Sequence, residues 1–128
     1  MAIRVVRLGS ERLAGEGLRL GTVRRPPRGV PKSDHASGNW YDLWLPMLAP
    51  SAETVALGRD ATSDADWARF VRAYRREMAA PEPAQAIALL AALSHASDFS
   101  VGCYCEDEAR CHRGLLRELL AAQGARMA

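Results

Sequence analysis

Apolar positions along the chain change period several times, and each change marks an element. Residues 2–8 (Ala-Ile-Arg-Val-Val-Arg-Leu) and 18–24 (Leu-Arg-Leu-Gly-Thr-Val-Arg) are short, partly alternating and rich in β-branched or aliphatic groups, which predicts two strands joined by a polar, glycine-containing connection. Residues 25–38 hold three prolines and two glycines and read as an extended loop. Trp40, Leu43, Trp44 and Met47 recur at helical spacing and predict a short helix ending before Pro50. Ser63-Asp64-Ala65-Asp66 is a capping-box-like start. Trp67, Phe70, Val71, Tyr74 and Met78 then form one stripe of a helix whose arginines lie mostly elsewhere.

Pro81 and Pro83 interrupt the chain before a helix over residues 84–95, which is apolar nearly all round and therefore expected to be buried. Phe99 to Cys105 alternates strictly, with Phe99, Val101, Cys103 and Cys105 on one strand face. An acidic turn (Glu106, Asp107, Glu108) follows. A final helix is expected to begin around Asp107–Cys111 and to stop at Gly124, with Leu115, Leu116, Leu119 and Leu120 as its apolar face. The sum is an α/β fold: a small, mainly parallel sheet packed with about four helices in one compact domain over residues 1–128.

Composition narrows the classes. At 128 residues, with 48% hydrophobic and 25% charged residues, the chain suits one ordered globular domain. No apolar run approaches the roughly 18 residues that span a bilayer, so no membrane association is expected. The first seven residues lack a long apolar segment, which predicts no secretory signal and a cytoplasmic location. Three cysteines in such a chain suggest reduced thiols or metal ligands rather than a disulfide framework.

The net charge of +2 is unevenly spread. Residues 1–32 carry Arg4, Arg7, Arg12, Arg19, Arg24, Arg25, Arg28 and Lys32 against Glu11 and Glu16, a net of +6, which leaves −4 for the rest. A basic end can serve phosphate, a nucleotide or nucleic acid, and it can equally be a solvated surface.

Several of these stretches resemble the YeaO-like family of uncharacterised bacterial proteins, domain of unknown function 488. The matching residues are Arg19 to Lys32 with its Pro-Arg-Gly loop, Trp40 to Ser51, the Trp67/Phe70/Tyr74/Arg75 helix, and the closing Cys103-Tyr-Cys-(five residues)-Cys111-His112-Arg113. The resemblance implies a compact α/β domain and no established reaction. Relatives commonly carry Gly-His-Asp where this chain has Gly58-Arg59-Asp60, and a glutamate at the position of Cys105.

Chemistry is concentrated at Cys103 to Arg113. One reading is an anion pocket at the carboxyl end of the last strand, where ligands of open α/β sheets gather. A helix start offers free amides and lowers a nearby thiol's pKa. Cys111 is then the nucleophile and His112 the base or orienting group. Arg113 grips phosphate or carboxylate, and Arg24, Arg25, Arg28 and Lys32 reach the same rim if the strand over 18–24 lies parallel and adjacent. No cofactor is called for.

A second reading makes Cys103, Cys105, Cys111 and His112 a structural metal set. Against it, consecutive helical residues point about 100° apart. A third keeps Cys103 in the core. A nucleic-acid-binding module acting through the basic N-terminal region is the rival function. The substrate and oligomeric state are open.

Overall fold

The computed structural model describes residues 1–128. Its centre is a four-stranded, all-parallel sheet formed by β1 (Ile3–Arg7), β2 (Leu18–Gly21), β3 (Leu43–Trp44) and β4 (Phe99–Cys103) in the order β1-β4-β2-β3. Four helices follow from the chain: α1 (Ala52–Arg59), α2 (Asp64–Met78), α3 (Pro81–Leu93) and α4 (His112–Ala122). The α/β class and the parallel sheet expected from the sequence are observed. No helix is long and apolar enough to cross a membrane.

The two faces of the sheet are finished differently. Ile3, Leu20, Phe99 and Val101 meet Tyr74, Met78, Ile87, Leu90, Leu116 and Leu120 in one apolar cluster between sheet and helices. The period-two alternation of strands sends Arg19 and Ser100 to the other face. Loops cover that face, and both side chains converge on Glu16 from the β1–β2 connection. All five residues of β4 are buried. The connection from β1 to β2 crosses β4 without a helix. It turns at Gly15 and Gly17, both at positive φ, and Gly17 lies against the Asp98 backbone, where no side chain fits.

The open edge beyond β1 is covered by the C-terminal segment: the Ile3 amide donates to the Arg126 carbonyl at 2.8 Å and the Ala128 amide to the Ile3 carbonyl at 2.9 Å.

Four local expectations are corrected. The helix expected over Trp40–Met47 is instead β3 followed by a 3-10 turn, Pro46–Leu48. Proline at 46 lacks an amide donor and disfavours helical backbone at Leu45, which adopts φ −124°, ψ 70°. Helix α1 has no counterpart in the sequence reading. Ser51 caps it, accepting from the Thr54 amide at 3.2 Å. Pro81 and Pro83 do not precede α3 but open it, because proline is tolerated in a first helical turn. Strand β2 stops at Gly21, β4 at Cys103, and α4 starts only at His112, so the stretch Tyr104–Cys111 is a loop containing a 3-10 turn, Glu108–Arg110.

Candidate functional site

Because β2 and β4 are adjacent and parallel, with Gly21 paired to Gly102, the segments leaving both strands emerge side by side. Thr22 and Val23 continue from β2, and Tyr104 and Cys105 from β4. A cavity of about 400 Å³ opens there. Cys103, Cys105 and His112 line it together with Arg24, Arg25 and Arg59, and Pro50, Ala52 and Val55 form an apolar wall. Glu77 anchors that wall. It accepts from the Ser51 amide (2.9 Å), the Ser51 hydroxyl (2.5 Å) and the Thr54 hydroxyl (2.7 Å), which ties the start of α1 to α2. Burial pushes the Glu77 carboxyl up, but these donors and the Arg24 charge outweigh it and keep the pKa low.

His112 lies beneath the cavity, 7% exposed, beside the Tyr74 ring at 5.5 Å. Its Nε2 lies 2.6 Å from the Thr22 carbonyl oxygen. A carbonyl can only accept, so Nε2 carries the proton and Nδ1 is left with its lone pair. Nδ1 lies 3.8 Å from Cys111 Sγ, within reach of a thiol hydrogen bond. Burial lowers the His112 pKa to about 4; the Thr22 bond opposes the shift and the Arg113 charge adds to it. The imidazole is therefore neutral at pH 7.

Cys103 and Cys111 are buried and their sulfurs touch. Their sulfurs lie at disulfide range although the Cα atoms are 7.9 Å apart, wider than the roughly 4.4–6.8 Å usual for bridged cysteines; the reduced pair presents two facing thiols. Leu8, Val23 and Tyr41 pack around them. The sulfurs and a ring nitrogen of His112 lie within 4.8 Å of one another, close enough for three ligands of one metal ion. The steric objection to Cys111 and His112 sharing a centre does not apply. Cys111 is the residue before α4, with φ −140° and ψ 149°, so its side chain is not placed by helical geometry. Cys105, an exposed residue, stands outside this cluster; partial desolvation raises its thiol pKa, against the opposing Arg113 and Arg7 charges.

The other expected site residues separate. Arg24 and Arg25 line the cavity, and Arg24 Nε is fixed to the Pro50 carbonyl at 3.1 Å. Arg28 lines a neighbouring cleft, while Lys32, in the 3-10 turn Lys32–Asp34, lines neither. Arg113 turns inward. Its guanidinium donates to the carbonyls of Val6 (3.3 Å), Cys103 (3.4 Å) and Glu106 (3.3 Å), so it clamps the ends of β1 and β4 rather than facing the cavity.

Arg59 was not singled out from the sequence. The usable signal was the replacement of a commonly found histidine in Gly58-Arg59-Asp60, which turns out to sit on the cavity wall. The basic N-terminal stretch is also partly spent: Arg19 is buried against Glu16, Arg12 pairs with Asp42 at 2.8 Å, and Arg7 with Glu106 at 3.6 Å.

No curated protein and no solved structure matches the chain. A family does: residues 3–124 match the family described as the active DUF488-N3 subclade. Sheet order, cavity and the Cys-His-Arg element thus all fall within the matched span, and the protein belongs to the DUF488 family.

Proposed function

We propose that the protein binds a small phosphate- or carboxylate-bearing molecule in this cavity and presents it to the Cys103–Cys111 thiol pair. The observation that carries the reading is that three guanidinium-bearing residues and the Cys103/Cys105/His112 set line one and the same cavity. Arginines in a partly enclosed site grip oxyanions strongly and favour thiolate over thiol. Arg24 and Arg25 act as the clamp; Arg59, on the wall beside them, shares its guanidinium with Asp60 at 3.1 Å and adds to the anion only by releasing that partner. Cys111 is the thiol that donates to His112 Nδ1, and Cys103, against it, is the sulfur that lines the cavity. Neutral His112, its tautomer fixed by Thr22, takes up a proton as negative charge develops on sulfur.

Alkylation tests this directly. Iodoacetate carries a carboxylate and iodoacetamide does not. The cavity is expected to favour iodoacetate at Cys103 or Cys111 by about tenfold, located by peptide mass spectrometry. Inorganic phosphate should protect, and Arg24→Ala/Arg25→Ala should erase the preference. Equal rates for both reagents, insensitive to phosphate and to the arginines, would overturn the reading. So would one equivalent of zinc in freshly purified protein, which would assign the same three groups to a metal.

A further inference from the structure

A second cleft of about 660 Å³ adjoins the first, and Arg25 and Tyr104 line both. Its remaining walls include Arg7, Arg28, Trp40 and Ser10. Neither Arg25 nor Arg28 forms an ion pair, so two exposed cations stand without counter-charges. The aromatic part is well fixed. Tyr104 donates its hydroxyl to the Arg25 carbonyl at 2.9 Å, and its ring meets Trp40 at 5.9 Å with the planes 72° apart. Trp40 is held in turn by Gly9 and Gly38, where a Cβ would press on the indole. The Arg7 Nε donates to the Tyr104 carbonyl at 3.2 Å, which braces the ridge between the cavities. Both aromatic residues keep partial exposure.

A simple oxyanion needs only the first cavity. A rigid aromatic pair beside unpaired guanidinium groups suits a planar, electron-rich ring, through stacking and cation–π contact. The two cavities together have the scale of a site for a ligand of several hundred daltons.

We infer that the ligand is a nucleoside phosphate, its phosphate held by Arg24, Arg25 and Arg59 and its base lodged across Tyr104 in the cleft of Trp40 and Arg28. This inference rests on the proposed reading of the first cavity and specifies what fills the rest. Arg28, expected from the sequence on the thiol rim, is assigned to the base end instead.

Protection of the reactive thiol from iodoacetate provides the assay, with AMP, UMP, ribose 5-phosphate and inorganic phosphate as the probes. The nucleotides are expected to protect at concentrations about tenfold lower than ribose 5-phosphate or phosphate, the contribution of one stacked base. Arg28→Ala, at an exposed position, should shrink that advantage. Trp40→Phe, which keeps a ring, should retain most of it, and quenching of tryptophan fluorescence by AMP should weaken in that variant. Equal protection by AMP, ribose 5-phosphate and phosphate would overturn the inference while leaving the anion cavity standing. An oligonucleotide that protects where mononucleotides fail would overturn it in favour of a nucleic-acid strand. Failure of every anion, phosphate included, would remove the cavity reading beneath it as well.

Discussion

Glu16→Gln and Arg19→Met are each expected to lower the unfolding free energy by about 3–5 kcal/mol, the cost of stranding one partner of a buried ion pair. Both side chains are essentially inaccessible to solvent. Arg19 Nε donates to Glu16 Oε2 at 2.8 Å and its Nη2 to Oε1 at 3.0 Å, a two-pronged pairing. The other guanidinium nitrogen serves the carbonyls of Ser10 (2.9 Å) and Asn39 (2.7 Å). Ser100 from β4 and the Leu13 amide complete the Glu16 carboxylate.

Burial alone would raise the Glu16 pKa. The Arg19 fork, the Ser100 hydroxyl and the Leu13 amide prevail and hold it at about 2. This pair joins two loops to the central strand on the face that has no helix. Glu16→Gln leaves Arg19 charged without a counter-charge. Arg19→Met leaves the carboxylate and two loop carbonyls short of donors. Urea denaturation followed by circular dichroism measures both, and a loss below about 1 kcal/mol in each would contradict the account.

Acidification should cost about 3 kcal/mol through His112 alone. The unfolded imidazole titrates near 6.5 and the folded one near 4. Between those values the unfolded chain binds more protons than the native one, so stability rises with pH. The contribution is fully present above about 6.5 and is lost as pH falls toward 4; the 2.5-unit gap sets its size at about 3 kcal/mol. Glu16 acts in the same direction lower down, between 4.5 and about 2. Unfolding curves at successive pH values should show the His112 portion, and His112→Gln should remove it, because an amide does not titrate there. A wild-type curve flat from pH 7 to 4 would mean that His112 is not buried as a neutral base.

Elements whose signal is local were legible in the sequence. The stripe Trp67/Phe70/Tyr74 and the Ser63 cap fixed α2, and strict alternation placed β4. Elements set by tertiary pairing were not. Leu43 and Trp44 are a strand only because β2 offers Leu20 and Gly21 as partners, and helical spacing of apolar residues over so short a span could not show that. The adjacency of β2 and β4, on which the site depends, was a condition in the sequence reading and is met in the fold.

Site chemistry was half legible. Cys111 and His112 stood out as residue types, and the arginines of residues 24 and 25 as a charge run. Which basic residues are free was invisible, because Arg19 and Arg113 are consumed by carboxylate and carbonyl partners that only folding brings near. The alternation that suggested a core role for Cys103 was right about burial, yet it could not show that the strand ends there and leaves the sulfur at a cavity.

Tungstate, an oxyanion with strong anomalous scattering, soaked into crystals of the protein at near-neutral pH would locate any anion site without assumption. The strongest peak is expected within hydrogen-bonding reach of at least two of Arg24, Arg25 and Arg59, on the side of the cavity where Cys103 and His112 lie. A cavity left empty at saturating tungstate, with peaks only on other surfaces, would contradict the anion-cavity reading.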